Sequence, residues 1–248
     1  MEKTANKQQV VYGLRPVIEA IGSGQTVERV LLQNGLNSSL LNELRTKMKE
    51  HDIPFQYVPL EKLNKMTSGN HQGVVAVIAA VPYRDVVEIL EQTDGGSPLI
   101  VLLDHITDVR NMGAIARTAE CTGVTALVVP DRGSAALNGD AMKTSSGALL
   151  RLPVCREQNL KTTVNLARQY GYQVVAATEK GAEDYREVDF SIPTLLILGN
   201  EETGISPELL KMSDVRAKLP IVGEVASLNV SVAAGVFMYK ALEQRKFQ

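Results

Sequence analysis

Residues 99–130 read LIVLLDHITDVRNMGAIARTAECTGVTALVVP, and their pattern decides the fold. Residues 99–104 form an unbroken apolar run closed by one carboxylate, 111–122 carry helix-forming residues, and 125–130 are apolar again. Continuous apolar strands separated by helical stretches indicate a parallel sheet buried on both faces. The alternation continues with a helix at 140–144, a strand near Val154, a helix at 160–170 and strands at 173–177 and 194–199. A helix from Pro207, a strand near Leu219 and a long helix over 228–244 complete it. Ligands of such sheets sit beyond the carboxyl ends of the strands. That rule nominates the loops after Asp104, Thr178, Gly199 and Leu219.

Upstream, the pattern describes a smaller α/β unit. Residues 14–21 read as a helix with Pro16 in its first turn, where the missing N–H costs little. Residues 27–32 read as a strand, and Ser38 or Ser39 caps a helix through Leu40, Leu41, Leu44 and Met48 that ends near Asp52. A strand at 55–58, a helix at 60–66 and the apolar strand GVVAVIAA at 73–80 follow. The order α-β-α-β-α-β implies a small sheet covered by helices. Pro82 ends that unit, 84–92 form an amphipathic helix, and Asp94-Gly95-Gly96-Ser97-Pro98 is a breaker cluster. The expected division is a domain at 1–83, a linker at 84–97 and a second domain at 98–248.

Composition narrows the function classes. The 248 residues leave room for one large or two modest domains, at roughly 100–200 residues each. Hydrophobic residues make up 44% and charged residues 22%, which excludes a disordered or collagen-like chain. No apolar run approaches the ~20 residues that span a bilayer, and MEKTANKQQV lacks an apolar leader core; a cytoplasmic protein without membrane contact is expected. Cys121 and Cys155 are too few for a disulfide framework or a zinc site of Cys pairs. They read as buried small apolar side chains in a reducing cytoplasm. His51, His71 and His105 show no metal-ligand spacing, so no metal is expected. With no Trp and 4% aromatics, base stacking cannot be the main binding device. The net charge of −2 excludes a strongly electrostatic nucleic-acid binder.

The usual nucleotide motifs are absent. There is no G-x-x-x-x-G-K-[ST] loop, and Gly22-Ser23-Gly24 lacks the third glycine of a dinucleotide fingerprint, so it reads as a turn. Ser145-Ser146-Gly147 has no His partner for a serine hydrolase. Three polar clusters at strand ends remain. The first spans 104–113 and leads into a helix carrying Arg117. Asn111 and Arg117 are six apart, so they share no helix face and converge only if Asn111 lies in the entering loop. Singly, an N-cap accounts for Asn111 and a solvated charge for Arg117. The second cluster, 198–204, is explained as an acidic turn before a helix. The third, 220–231, opens an apolar helix with small and polar residues, which capping explains in part. Together the three suggest one pocket.

The segments LLDHITDVRNMGAIARTAECTGV, LLILGNEETGIS and LPIVGEVASLNVSVAAG resemble the three motifs of SpoU-type (TrmH-type) RNA ribose 2′-O-methyltransferases of the SPOUT class. The likeness covers about 97–245 in order and spacing, and SAALNGDAMKTSSGAL resembles the family too. YGLRPVIEAI and HQGVVAV, within the first ~80 residues, resemble the family's L30e-like RNA-binding domain. The full layout is most similar to enzymes that methylate a guanosine of 23S rRNA. The resemblance implies S-adenosylmethionine as cofactor, RNA as partner, a homodimer with its site near the interface, and a C-terminal trefoil knot. Pattern reading could not supply the knot.

Position by position, the resemblance carries catalytic roles onto Asn111, Arg117, Glu201, Ser227 and Asn229. Glu202 departs from the Gly of many relatives. Cofactor contacts fall on Thr178, Leu198, Gly199, Leu219, Ile221 and Leu228, where backbone groups could bond adenine and apolar side chains cover its faces. Arg15, Arg110 and Arg117 are the RNA-contact candidates. The chemistry so implied needs alignment of ribose oxygen, methyl and sulfur, with stabilisation of the developing alkoxide. Arg117 suits that electrostatic task and not the role of base, since guanidinium is not deprotonated in proteins. Methylation of tRNA, a non-enzymatic RNA-binding assembly factor and a small-molecule enzyme are the competing readings. Residues 1–83 hold 9 basic and 7 acidic side chains, so the front domain is the more basic part. Its Arg45, Lys47 and Lys49 are equally a solvated helix face. RNA affinity would then rest on few phosphate contacts with a shallow salt dependence.

Overall fold

A computed structural model describes residues 10–23, 25–79, 81–91, 96–225 and 227–246. The chain separates into two compact units, 1–82 with 136–140, and 83–135 with 141–248.

In the first unit the elements are β1 (Val10–Tyr12), α1 (Leu14–Gly22), β2 (Val27–Gln33), α2 (Ser39–Glu50), β3 (Phe55–Val58), α3 (Leu60–Met66) and β4 (Val74–Ile78). The sheet order is β1-β4-β2-β3. β4 runs antiparallel to β1 and β2, while β2 and β3 are parallel. Strand alternation sorts the side chains to two faces. Val30, Leu32, Val74 and Ala76 pack with Val17 and Ile21 of α1 and with Leu41, Leu44 and Met48 of α2. Leu31, Val58 and Val75 pack on the opposite face with Leu63 of α3. Ser38 is the N-cap of α2, its Oγ accepting from the Leu41 N–H at 3.1 Å. The structure adds β1, a short, partly exposed edge strand whose sequence signal, Val10-Val11-Tyr12, is only three residues long. The strand expected over 73–80 spans Val74–Ile78, and Ala80 lies outside the described residues.

The second unit holds α4 (Val86–Glu91), β5 (Leu99–Asp104), α5 (Val109–Cys121), β6 (Ala126–Pro130), α6 (Gly139–Thr144) and β7 (Val154–Glu157). It continues with α7 (Leu160–Gln169), β8 (Gln173–Ala177), β9 (Glu183–Asp184), β10 (Thr194–Gly199), α8 (Pro207–Met212), β11 (Val215–Lys218) and α9 (Val230–Lys246). The start of α6, residues 139–140, clusters with the first unit. All seven strands pair in parallel in the order β7-β6-β5-β10-β8-β11-β9. Every residue of β5 and β6 is buried, as a sheet covered on both faces requires.

Three features differ from the sequence expectation. The amphipathic helix expected at 84–92 forms as α4, but its Val86, Ile89 and Leu90 enter the core of the second unit, where a linker over 84–97 was expected. Within that stretch 92–95 lie outside the described residues. The strand expected near Leu219 ends at Lys218, and the last helix starts at Val230. That leaves 219–225 and 227–229 as connecting chain between β11 and α9. No helix among the described residues is long and apolar enough to cross a membrane.

The two cysteines are set apart by burial. Cys155 is buried in the core as expected, and burial pushes its thiol up to about 12, whereas Cys121, also expected to be buried, is exposed near the end of α5. Only the thiolate reacts. Titration with an aromatic disulfide reagent at pH 8 is therefore expected to modify one thiol per native chain and two after denaturation. Rapid native modification of both would contradict the packing.

Candidate active site

β10 sits between β5 and β8, with β11 beyond β8, so the strands that carry the polar clusters end side by side. A cavity of about 340 Å³ opens there. Thr178, Leu198, Gly199, Leu219, Ile221 and Leu228 all line it, together with Glu201, Ser227 and the α9 residues Val230, Ala233 and Phe237. Sequence reasoning did not nominate Glu179 and Lys180, which line it beside Thr178. Their place directly after β8 was the available signal.

Beside the cavity a single side chain joins the three polar clusters. Asn229 Oδ1 accepts from the Ser231 N–H at 2.9 Å, and the Asn229 carbonyl accepts from the Val232 and Ala233 N–H groups, so Asn229 caps α9. Its Nδ2 group is thereby turned outward. It donates to Asn111 Oδ1 at 3.1 Å and to Glu201 Oε1. Capping uses one end of the amide, and the other end forms the hub.

Asn111 is not an N-cap. That position belongs to Asp108, whose carboxylate accepts from the N–H groups of Arg110 at 2.6 Å and Asn111 at 3.4 Å. Asn111 is therefore inside the first turn of α5. Arg117 then stands about 9 Å along the axis and some 240° around it from Asn111, by helix geometry. It is exposed, and among the described residues it makes no ion pair. The hub thus gathers Asn111, Glu201 and Asn229, Ser227 lies in the neighbouring cavity wall, and Arg117 stays apart. Arg110 is exposed at the start of α5, and Arg15 is exposed on α1 of the first unit.

The loop after β10 is held by close backbone packing. Asn200 and Gly204 exchange backbone hydrogen bonds at 3.1 and 2.8 Å, with Gly204 at φ 71°. A Cβ on Gly199 would lie 2.2 Å from Gly204 C and Ile205 N. The room that Gly199 leaves is thus occupied by its own loop. Asn200 Nδ2 donates to the His105 carbonyl at 2.9 Å, joining the loops after β5 and β10. Asp104, 2% exposed, completes that link: Oδ1 meets His105 Nδ1 at 2.6 Å and Oδ2 accepts from the Ser206 N–H at 2.7 Å. Among the described residues no cluster of three His, Cys, Asp or Glu side chains could hold a metal ion.

The segment that builds the cavity and the hub, residues 98–239, matches the SpoU rRNA Methylase family. The chain belongs to this family. Residues 10–84 match the RNA 2′-O ribose methyltransferase substrate-binding family. A Staphylococcus haemolyticus protein placed in the TrmH family of tRNA/rRNA methyltransferases is 37% identical over 95% of this chain and 96% of its own length. Among solved structures, the SpoU methyltransferase AviRb from Streptomyces viridochromogenes, in complex with S-adenosylmethionine, is 28% identical with a TM-score of 0.62, over 96% of this chain and 91% of that one. An S-adenosylmethionine-bound rRNA methyltransferase from Sinorhizobium meliloti is 26% identical with a TM-score of 0.61, over 94% and 85% of the two chains. For the SpoU family, then, the α/β reading holds: a small mixed-sheet unit precedes the parallel-sheet methylase unit.

Proposed function

We propose that this SpoU family chain transfers the methyl group of S-adenosylmethionine to a ribose 2′-OH of RNA, a guanosine of 23S rRNA being its target and the cytoplasm its compartment. The Asn229 hub carries the reading, because it ties the three motif segments to one edge of the cavity. The cavity suits the cofactor. Its volume lies in the range of about 300–1,000 Å³ usual for small-molecule pockets. Leu198, Leu219, Ile221 and Leu228 offer apolar cover for an adenine, and strand-end backbone groups offer donors and acceptors for its edge. When bound, S-adenosylmethionine supplies a methyl group that is already strongly electrophilic.

The chain's own residues supply orientation and charge. Asn111, Glu201, Ser227 and Asn229 position the ribose against the methyl donor. Arg117 polarises the 2′-OH and stabilises alkoxide character, and a phosphate oxygen or water takes the proton. Arg117 stands off the hub of its own chain, so it reaches the ribose from a second copy. A surface that suits such a dimer lies next to it: Val232, Gly235, Val236 and Tyr239 of α9 border a shallow groove with Thr118 of α5. Val232 and Tyr239 are more than half exposed there. Arg15 and Arg110 contact RNA, and the chain that follows β11 forms a trefoil knot of the SPOUT type.

Mapping 2′-O-methylation on the rRNA and tRNA of a deletion strain tests the target. Loss of one guanosine methylation from 23S rRNA is expected, and loss confined to tRNA overturns the rRNA assignment. Arg117→Ala is expected to lower kcat by about 10²–10³ with folding intact, in line with loss of one charge-stabilising donor. Near-normal transfer by that variant would end the role given to Arg117. Mixed dimers of Arg117→Ala with Asn229→Asp should recover activity at one site if the arginine comes from the second copy.

A further inference from the structure

The edge strand β3 of the first unit carries an aromatic pair that its core does not use. Among the described residues Phe190 and Phe237 are buried, whereas Phe55 is 50% and Tyr57 41% exposed. The two are two residues apart on one strand face, with ring centroids 5.8 Å apart and planes at 88°. Opposite them in register are Val30 and Leu32, which face α1 and α2, so the rings border α2. There Arg45 Nη2 donates to the Tyr57 hydroxyl at 2.6 Å. Lys49 follows one turn on, nearer the end of α2 that leads into β3, and on the same stripe. Among the described residues neither Arg45 nor Lys49 is in an ion pair, while Lys47 on the same helix pairs with Glu50 at 3.3 Å.

We infer that Phe55 and Tyr57, with Arg45 and Lys49, form a stacking platform for unpaired bases of the substrate RNA. The proposal rests on the RNA-methyltransferase reading above and gives the first unit a contact surface within it. Exposed rings offer a π-face that any base can stack on, and neighbouring cations meet the phosphates. Tyr57 holds the Arg45 guanidinium beside the rings, where it too can stack or contact phosphate. Low aromatic content limits such contacts to a small site and does not remove them. A second copy of the chain is a poorer occupant. β3 has four residues between Pro54 and Pro59, so its free edge offers few groups for strand addition, and the two cations would repel their own counterparts.

The test uses the full-length protein with two RNA probes, an unmodified 23S rRNA transcript and an unmodified tRNA transcript, and calorimetry of S-adenosylmethionine binding as control. The Phe55→Leu/Tyr57→Leu double variant keeps apolar bulk and loses the stacking faces. It should weaken binding of the RNA that the wild type methylates by about a hundredfold, roughly tenfold per ring, and leave cofactor affinity unchanged. Phe55→Tyr/Tyr57→Phe should bind within about threefold of wild type. Arg45→Gln should reduce the slope of log K against log salt by about one phosphate contact. Wild-type RNA affinity in the leucine variant overturns the platform while leaving the function standing, provided the wild type transfers methyl. A leucine variant that changes sedimentation mass in place of RNA affinity overturns it in favour of self-association. A wild type that neither binds nor methylates either RNA removes the function reading and the platform with it.

Discussion

Asn229→Asp is expected to lower kcat for methyl transfer by about 10²–10³, the scale set by misplacing reacting groups by about an ångström. The substitution separates two jobs of one side chain. Asp keeps the acceptor that caps α9 through Ser231. It replaces the Nδ2 donor with a carboxylate oxygen facing Glu201 and the side-chain Oδ1 of Asn111. Like charges then meet where a donor stood, and the motif segments lose their common tie. Asn229→Ala should be equally inactive and should also lose the cap, at a cost of about 1 kcal/mol in stability. Cofactor affinity should stay within about threefold in the Asp variant, because Asn229 is not in the cavity wall. Single-turnover rates with S-adenosylmethionine calorimetry and thermal melts check all three points. An active Asn229→Asp enzyme would reduce the hub to a helix cap.

Gly199→Ala is expected to abolish cofactor binding, lowering affinity at least a hundredfold. The added Cβ would lie 2.2 Å from backbone atoms of Gly204 and Ile205, and backbone cannot swing aside as a side-chain tip can. The loop of residues 200–205 must therefore move. It forms one wall of the cavity and holds Glu201 against Asn229. Its hydrogen bond from Asn200 to the His105 carbonyl, and the adjoining bond from the Ser206 N–H to Asp104 at the end of β5, would shift with it. Overpacking of this kind costs about 1–3 kcal/mol in stability, so the variant should fold with a lowered Tm. It should also lose the rise in Tm that ligand binding produces in the wild type. Unchanged cofactor affinity would show that the loop tolerates displacement without loss of the site.

The legible part of the fold is the part with strong local signals. β5 and β10 stand out as LIVLLD and TLLILG because a parallel strand buried on both faces runs apolar through its centre instead of alternating. α2 stands out because Ser38 supplies its cap and Leu41, Leu44 and Met48 its buried stripe. β1 and β9 lack such signals. β1 is a three-residue, partly exposed strand set by pairing with β4, and β9 is two residues set by pairing with β11.

The site was legible as three clusters at strand ends and, through family likeness, as a set of residue types. Their junction was not. Asn229 and Asn111 are 118 positions apart, and which loops meet depends on β10 lying between β5 and β8, an order no periodicity encodes. The entry into α5 shows the same limit at short range. Asp108 and Asn111 are both good capping residues, and choosing Asp108 moves Asn111 into the helix and leaves Arg117 on another face. Gly199 was legible as a cofactor-contact position through family likeness, but that the backbone of residues 204–205 packs against it is visible only in three dimensions.

The cavity and the Asn229 hub together are expected to support methylation of a ribose of RNA. The most direct measurement incubates the purified protein with methyl-tritiated S-adenosylmethionine and, separately, unmodified 23S rRNA and unmodified tRNA, digests the RNA to nucleosides and locates the label. Tritium in 2′-O-methylguanosine, at a single site and lost in Asn229→Asp, is the predicted result. Label on a base, or none in either 23S rRNA or tRNA from a wild type that binds S-adenosylmethionine, would contradict it.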